Sequence, residues 1–238
     1  MNHTTGCLVC GRDLTYLQSP EQRECYYCHE VSETAAVCAE GHYICDRCHG
    51  LSAEELIERF CRTTELRDPL AIACTLMKNP AIKMHGPEHH FLVPASLLAA
   101  YYNTRGDYAA KEAKITQARK RAEMIKGGSC GVLGTCGAAM GTGIFISLIT
   151  AATPFSEKAW SLSNQMTARS LTEIARHGGP RCCKRDSWLA IREAGSFLSE
   201  NCGITLPIQE KTACAFSEIN QECRGIRCPF NPKLSPGA

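Results

Sequence analysis

The first 50 residues contain four closely spaced pairs of residues that bind metals in proteins. The pairs are Cys7 with Cys10, Cys25 with Cys28, Cys38 with His42, and Cys45 with Cys48. In each pair a tight turn can direct two side chains at one ion, and thiolate and imidazole are ligands that zinc prefers. Because few apolar residues accompany them, metal binding must supply much of the free energy that folds this segment. We therefore predict a module over residues 1–50 that binds two zinc ions.

The four pairs can be divided between two ions in two ways. Their order resembles that of RING and related cross-braced fingers, in which alternate pairs share a metal. The resemblance implies one ion bound by Cys7, Cys10, Cys38 and His42, and a second bound by Cys25, Cys28, Cys45 and Cys48. A tandem division, with the first two pairs on one ion and the last two on the other, is the alternative. The mixed charge of the segment favours protein docking or capping of the next domain over nucleic-acid contact.

A second group of cysteines follows, around a glycine-rich loop. Residues Lys126–Pro154 place two cysteines just before a long uncharged segment, and glycine lets the backbone approach a ligand closely. Further along, two adjacent cysteines are flanked by Arg and Lys, which favour the thiolate form, and the last tail cysteine precedes a proline, as in some iron–sulfur motifs. We predict an iron–sulfur site among these ligands, with zinc as an alternative for the tail: Cys130, Cys136, Cys182, Cys183, Cys214, Cys223 and Cys228.

Three histidines and a glutamate lie close together ahead of this loop. Imidazole titrates near neutral pH, so these side chains could act as acids, bases or substrate ligands. The alternative is a polar loop whose imidazoles are solvated or cap the following helix. The candidate catalytic residues are His85, Glu88, His89 and His90.

The elements that must position these residues are predicted to be helices from Leu51 onward. Four helices precede the glycine-rich loop: one capped by Ser52 and Glu55, one from Asp68-Pro69 to about Lys78, one from about Pro94, and one over Asp107–Lys126. The last is rich in charges and is expected to present a solvated face. Cys61 and Cys74 fall inside the first two helices and are expected to be packing residues.

The uncharged segment Gly131–Pro154 is long enough to cross a bilayer. Since it is rich in Gly, Thr and Ala, we predict a buried core helix and keep a membrane span as the alternative. Helices over Ser156–Arg176 and from Arg181 through Phe197 follow, and the tail is loop-like. The predicted fold class is mainly α, with a small RING-like or zinc-ribbon-like module at residues 1–50 and an all-α iron–sulfur domain at residues 51–238.

The net charge and the cysteine content of the chain indicate which partners and which cellular compartment to expect. The net charge is +2 and the pI about 7.8, so there is no general electrostatic case for nucleic acid. The chain has 17 cysteines and its N-terminal residues lack the pattern of a secretory signal. We therefore expect reduced, metal-binding thiols in a cytoplasmic protein of an organism that tolerates oxygen-sensitive clusters. A homodimer is also compatible with the sequence.

Three motifs, in order, resemble those of iron–sulfur L-serine dehydratase α-subunits and L-cysteine desulfidases. Gly86–His90, followed by Pro94, is similar to their substrate-loop motif. Gly128–Gly134 resembles the loop that carries their first cluster cysteine. Gly179–Asp186 resembles the Pro-Cys-Ile-Glu-Arg-Asn motif that carries their last one. The likeness spans about residues 80–200 and leaves out the zinc module.

This resemblance implies a [4Fe–4S] cluster held by three cysteines, with one iron open to substrate. It implies Cys130 and Cys183 as ligands, but the middle cysteine has no counterpart, since Thr172, Glu173 and Ile174 stand in that region. Cys136, Cys182 or a tail cysteine would have to replace it. The whole chain also resembles an uncharacterised domain-of-unknown-function family of anaerobic archaea and bacteria, sometimes found with methyltransferases.

Two functions of different classes follow. The first is an iron–sulfur lyase that removes water or sulfide from a small hydroxy- or thiol-bearing amino acid. The second is a non-catalytic zinc and iron–sulfur protein, whose cluster is closed by four cysteines. It would serve as an adaptor or as an electron- or sulfur-transfer partner, for example of a methyltransferase. The number of cysteines on the cluster separates these two functions. An all-zinc regulatory or nucleic-acid-binding protein is a third hypothesis, which the near-neutral charge disfavours.

Overall fold

A computed structural model describes residues 6–234 and confirms that the chain is mainly helical. Two strands come first, β1 Leu14–Glu24 and β2 Val31–Cys38. The helices of the described residues are α1 Asp46–His49, α2 Ala53–Thr63, α3 Pro69–Lys78, α4 Glu88–Arg105, α5 Tyr108–Ala122, α6 Ser129–Val132, α7 Gly137–Ile149, α8 Glu157–His177 and α9 Cys183–Cys202. Among these, none combines the length and the apolar composition that a membrane span requires.

The two strands form an antiparallel hairpin that the sequence analysis did not predict. Leu14 pairs with Cys38 at the open end and Glu24 with Val31 at the turn, and the register shifts between Tyr16 and Glu21. Most of the hairpin is exposed, so it lacks the alternation of apolar and polar residues by which strands are recognised. Candidate metal ligands lie at both of its ends, where bound ions could hold a hairpin that has almost no core of its own.

Helix α4 is the centre of the helical part. It packs against α2, α3, α5, α7 and α9 and is buried on nearly all sides. The prediction that it starts near Pro94 was wrong, because Glu88 opens it and Pro94 lies inside it. A proline at this position leaves the carbonyl of His90, four residues earlier, without its helical partner. Gly141 of α7 lies against this irregular turn, where an added Cβ would stand 3.1 Å from the His90 carbonyl oxygen.

The uncharged segment is shorter as a helix than predicted. The glycine-rich residues 126–136 form the short helix α6 and a turn, and α7 runs only from Gly137 to Ile149. Ala151 adopts a positive φ of 51° just beyond it, which ends the helix before Pro154. α7 packs against α4, α5, α8 and α9, so it is a core helix.

The charged helix α5 begins close to the predicted start, with Asp107 as its cap, and mostly presents polar residues outward. Lys111 is an exception to the expected solvated face, since its side chain is buried. Its Nζ donates to the Thr64 carbonyl at 3.0 Å and to Asn103 Oδ1 at 2.8 Å. These bonds offset the cost of burying the ammonium group, and burial lowers the pKa of Lys111.

The N-terminal module packs directly on the helices through Tyr27, in the hairpin turn. Tyr27 is fully buried, stands edge-on to Phe60 of α2 with ring centroids 5.8 Å apart, and accepts a hydrogen bond on its hydroxyl from Asn79 Nδ2 at 3.2 Å. Thr63 Oγ1 donates to the Tyr27 carbonyl at 3.1 Å. The module and the helices therefore share one continuous core.

Candidate metal centres

The open end of the hairpin gathers one set of four ligands. Ligand atoms of Cys7, Cys10, Cys38 and His42 all lie within 4.8 Å of one another, and the sulfurs of Cys10 and Cys38 are 3.4 Å apart. The amides of Val9 and Glu40 donate to the sulfurs of Cys7 and Cys38 at 3.4 and 3.3 Å. In such turns each sulfur accepts a hydrogen bond from a backbone amide, and the sulfurs point toward a common centre.

The turn end of the hairpin gathers the second set, and all four of its residues are buried. It consists of Cys25, Cys28, Cys45 and Cys48. The sulfurs of Cys28 and Cys45 are 3.8 Å apart, close to the roughly 3.8 Å that tetrahedral geometry gives for Zn–S bonds of about 2.3 Å. The ligands are therefore divided in the alternating way, and the tandem division does not fit.

Local electrostatics prepare part of each set for metal binding. Burial opposes ionisation of Cys38, but hydrogen bonds from the Glu40 amide and His42 outweigh it and lower its pKa to about 6. Burial also opposes ionisation of Cys25, yet backbone amides led by that of Cys45 bring its pKa to about 7. Burial raises the pKa of Cys7 to about 11. A cation is therefore needed to make all the thiols thiolates together.

A third group of cysteines lies where the tail crosses the start of α9. Cys182 precedes α9, and Cys214, Cys223 and Cys228 come from the tail. Burial raises the pKa of Cys214 to about 11, and the charges of the other three thiols add to the shift. Asn220 Nδ2 stands 3.5 Å from the Cys182 sulfur. We call this group the tail cysteine set.

The remaining predicted cluster cysteines lie on the other side of the α9 start. Cys130 and Cys136 line a cleft of about 580 Å³ between the glycine-rich loop, α8 and the turn before α9, together with Arg181, Arg185 and Asp186. Burial raises the pKa of Cys136 to about 11, and Asp186 and Cys183 contribute to the shift. Cys183, two residues after Arg181, is not itself a lining residue of the cleft. We use the name thiol cleft for the cleft together with Cys130, Cys136 and Cys183.

The adjacent residues Cys182 and Cys183 thus belong to different groups. The pKa of Cys183 is raised to about 11, chiefly by burial, while the Gly86 amide works in the opposite direction. Cys183 therefore faces the histidine-bearing loop, whereas Cys182 faces the tail. The seven cysteines predicted for one cluster are divided into a set of three and a set of four.

A buried ion pair forms the floor of the thiol cleft. Arg185 Nε donates to Asp186 Oδ1 at 3.0 Å, and both residues are almost completely enclosed. Arg185 Nη2 also donates to the carbonyls of Gly178 and Pro180 at 3.0 and 3.2 Å. Burial raises the pKa of Asp186, although Arg185 opposes the shift. This carboxyl is the acidic group that lines the cleft.

The four predicted catalytic residues surround α9 without lining this cleft. His85 Nε2 lies 3.0 Å from Glu222 Oε2 and 3.2 Å from Asn220 Oδ1 of the tail. Glu88 is buried and accepts a hydrogen bond from the Lys83 amide at 2.8 Å. His90 is half-buried, its Nδ1 lies 3.2 Å from the Ile125 carbonyl oxygen, and its ring rests on Gly137 beside Cys136.

His89 is the most enclosed of these histidines, with 1% of its surface exposed. Its Nδ1 lies 3.2 Å from the Gly86 carbonyl, to which it can donate. Burial, reinforced by the charge of Lys184, lowers its pKa to about 3. The imidazole is therefore neutral, and its 3.7 Å approach to Glu88 is not an ion pair.

A family model matches residues 57–231 of the chain, which is most of its length, and its family is one of unknown function, DUF5714. The chain belongs to the DUF5714 family. The predicted resemblance to a domain-of-unknown-function family is thereby confirmed, while the likeness to L-serine dehydratases stays a prediction. No curated protein and no solved structure matches the chain. The DUF5714 match includes the thiol cleft and the tail cysteine set and leaves out the hairpin module.

Sequence reasoning missed three residues of this DUF5714 site. Asp186 and Arg185 lie within the motif compared with Pro-Cys-Ile-Glu-Arg-Asn, and that motif was the one available signal for them. Lys184 is also buried, with its Nζ donating to the carbonyls of Met77 and Ile82 at 3.0 and 3.3 Å. Burial lowers the pKa of Lys184 to about 8. Three consecutive buried charged residues cannot be distinguished in sequence from an exposed run.

The close contact between Gly137 and His90 leads to a stability prediction. A Cβ at residue 137 would overlap the His90 ring, so Gly137→Ala must displace the imidazole or α7. We expect a loss of about 1–3 kcal/mol, as for other overpacked cores, measured by denaturant unfolding. Gly131→Ala is the matched control, because a Cβ there meets nothing within 4 Å. Equal stabilities of the two variants would contradict the contact.

The buried neutral His89 predicts a loss of stability in acid. Its pKa is about 3 in the folded protein and about 6.5 in an unfolded chain, so only the unfolded state takes up a proton between these values. This contribution to stability is fully present above pH 6.5 and is lost as the pH falls, by about 1.4 kcal/mol per unit. The test compares unfolding of the wild type and His89→Gln near neutral pH and one unit below 6.5, with bound metal verified. The same pH dependence in both proteins would contradict the assignment.

Proposed function

We propose that this protein binds zinc in its N-terminal module and carries a [4Fe–4S] cluster in its helical part, where it acts as a lyase on a small hydroxy- or thiol-bearing amino acid. Cys130, Cys136 and Cys183 would hold the cluster. An iron without a protein ligand would supply a Lewis acid for the β-hydroxyl or β-thiol group. The module would hold zinc because its ligands are thiols and one imidazole at tetrahedral spacing.

The observation that carries this proposal is the division of the cysteines into three and four. Cys130 and Cys136 line a cleft that is open to a small molecule and Cys183 acts electrostatically on Cys136, whereas the other four cysteines lie at the tail and just before α9. A cluster held by three thiolates keeps one iron free, whereas four thiolates would close it. Among the described residues, these three thiols are not gathered as closely as the ligands of either module set, and in a cluster each thiolate would bind a different iron.

The cleft also accounts for the missing middle cysteine of the L-serine dehydratase resemblance. Thr172 and Ile174, which stand where that cysteine is expected, line the α8 wall of the cleft. Cys136 lines the same cleft from the start of α7. Cys136, at the start of α7, would thus be the third cluster ligand, and it would approach the same cleft from the side opposite α8.

The chain's own groups divide the remaining work. Arg181 lies at the cleft and is exposed, so it can bind a substrate carboxylate as a charge-assisted partner. Asp186 lines the cleft with a raised pKa, which suits a base that removes an α-proton. His85 is near enough to influence Asp186 electrostatically. Glu88 and His89 are enclosed and would position the surrounding loop.

The test is anaerobic purification of the full chain, followed by zinc, iron and acid-labile sulfide analysis and EPR of the reduced protein. We expect about two zinc at the module and an iron signal that shifts when L-serine or L-cysteine is added. Cys136→Ser should abolish that shift, and Cys202→Ser, a thiol outside every group described above, should keep it. Zinc without iron or sulfide would overturn the lyase.

The tail cysteine set favours a second candidate, the non-catalytic transfer protein. A cluster held by all four of its thiols would have no free iron, and Ile226, between two of them in the sequence, is 70% exposed. An exposed apolar side chain beside a closed cluster suits a partner that exchanges electrons. Iron with an EPR spectrum that does not respond to either amino acid would favour this function over the lyase.

A further inference from the structure

The tail is ordered around α9 although it contains almost no regular structure. From Gly203 to Leu234 the described chain forms two short 3₁₀ turns, Gly225–Arg227 and Pro232–Leu234. Trp188 of α9 is buried between two tail rings, stacked on Phe216 and edge-on to Phe230, with centroids 6.3 and 5.1 Å away. Such a segment must be held by something besides secondary structure.

We infer that Cys182, Cys214, Cys223 and Cys228 form a separate four-thiolate metal site that fastens the tail to the start of α9. This inference does not depend on the lyase proposal, because none of the four residues is a ligand in the thiol cleft. The ligand class is a thiophilic metal, either one zinc ion or an iron–sulfur cluster, since four thiolates suit both.

The local geometry repeats that of the module. The amide of Phe216 donates to the Cys214 sulfur at 3.3 Å, and that of Gly225 to the Cys223 sulfur at 3.4 Å. Both are bonds from the amide two residues further on, as at Cys7 and Cys38. Two tail turns therefore present their sulfurs in the way that the module's ligand turns do.

The other two members are brought in by separate contacts. The amide of Cys214 donates to the Phe230 carbonyl at 2.7 Å, which joins the two ends of the tail and brings Cys228 back toward Cys214. Cys182 stands at the N-terminus of the 20-residue helix α9, where free amides and the helix dipole favour a thiolate. Asn220 Nδ2 approaches its sulfur from the tail.

Charge around the set is also suited to bound thiolates. The buried ammonium group of Lys184 lies 4.2 Å from the centre of the Phe216 ring, and the thiols of Cys182 and Cys214 are near enough to act on it electrostatically. An enclosed cation near Cys182 and Cys214 would offset part of the negative charge that these two thiolates carry. Unlike the ligands of each module set, the described sulfurs do not all lie within 4.8 Å of one another, which is wider than one tetrahedral ion with Zn–S bonds of about 2.3 Å spans.

The experiment uses the full chain, purified anaerobically, and compares wild type, the double variant Cys223→Ser with Cys228→Ser, and Cys202→Ser. We expect the double variant to lose one complement of metal, either one zinc or the iron and sulfide of one cluster, and to keep the two module ions. Cys202→Ser should keep the whole complement. Loss of zinc identifies an ion and loss of iron a cluster. An unchanged metal content in the double variant would overturn the site.

A second measurement covers the case in which the double variant does not fold. Native wild-type protein is alkylated and each modified cysteine is identified by mass spectrometry, before and after metal removal by a chelator and ferricyanide. The four thiols should be protected before and labelled after, while Cys202 reacts at both stages. Labelling of the four as fast as Cys202 in the untreated protein would refute the inference.

Discussion

Cys25→Ser abolishes metal binding at the buried ligand set of the module and unfolds the hairpin turn. All four residues of this set are enclosed, and the hairpin around it is mostly exposed, so a bound metal ion would supply most of the local folding free energy. Structural zinc contributes about 10–16 kcal/mol in small zinc folds, and a three-ligand site keeps only part of it. We expect one zinc per chain in place of two, by elemental analysis, and a lower, broader thermal transition.

The effect of Cys25→Ser should extend from the module to the helices. Tyr27 follows Cys25 by two residues and fills the contact with Phe60 and Asn79, so it leaves the core when the turn unfolds. Hydrogen exchange should therefore increase in α2 and α3. Cys202→Ser is the control and should change neither zinc content nor exchange. Two zinc ions bound to Cys25→Ser with an unchanged transition would contradict this account.

Asp186→Ala costs about 3–5 kcal/mol of unfolding free energy. The substitution leaves the guanidinium of Arg185 buried with two carbonyl partners and no counter-charge. Removing one partner of a buried ion pair is strongly destabilising, because the remaining charge is uncompensated. It also removes a carboxyl that raises the pKa of Cys136, Cys182 and Cys183, so these thiols should ionise at lower pH. Denaturant unfolding measures the first effect and the pH dependence of alkylation the second.

The matched comparison replaces both members of the pair. Arg185→Met with Asp186→Leu removes both charges and fills similar volume, so it should be less destabilised than Asp186→Ala alone. If the double variant is the less stable of the two, the pair contributes net stability and the single-variant cost has another origin. Elemental analysis of both variants separates loss of metal from loss of packing.

Local signals predicted much of the fold. Ser52 with Glu55 forms a complete capping box, and Asp68 caps the helix that Pro69 begins, as the sequence indicated. These signals depend on neighbours three or four residues apart, which a sequence displays directly. The hairpin escaped prediction because its strands are mostly exposed and lack an alternating pattern of apolar and polar residues. Pro94 led to the wrong start for α4, because proline was expected to begin the helix. The helix instead continues through Pro94, and α7 packs closely against the turn in which the His90 carbonyl lacks its hydrogen bond.

The site was predicted in its residue types but not in its grouping. Spacing of two or three residues within each pair predicted the module, because a turn brings such residues together in any fold. Cys182 and Cys183 are neighbours in sequence yet serve different groups, since a residue that caps a helix and the one that begins it point in different directions. Lys184, for example, is enclosed by Phe216 of the tail and by Ile82 of the loop before α4, which come from distant parts of the chain.

The position of the ligands along the chain also bears on how the protein is made. Every ligand of the module lies before residue 49, so the ribosome releases a complete set before α4 has been synthesised. Domains fold from the N-terminus as they emerge, so this part can load its ions first. Helix α4, apolar on nearly all sides, must then wait for α7 and α9 before it is covered. When the protein is synthesised faster than metal is supplied, an intermediate with an uncovered α4 should therefore accumulate. Slower synthesis with added zinc should raise the yield of soluble protein.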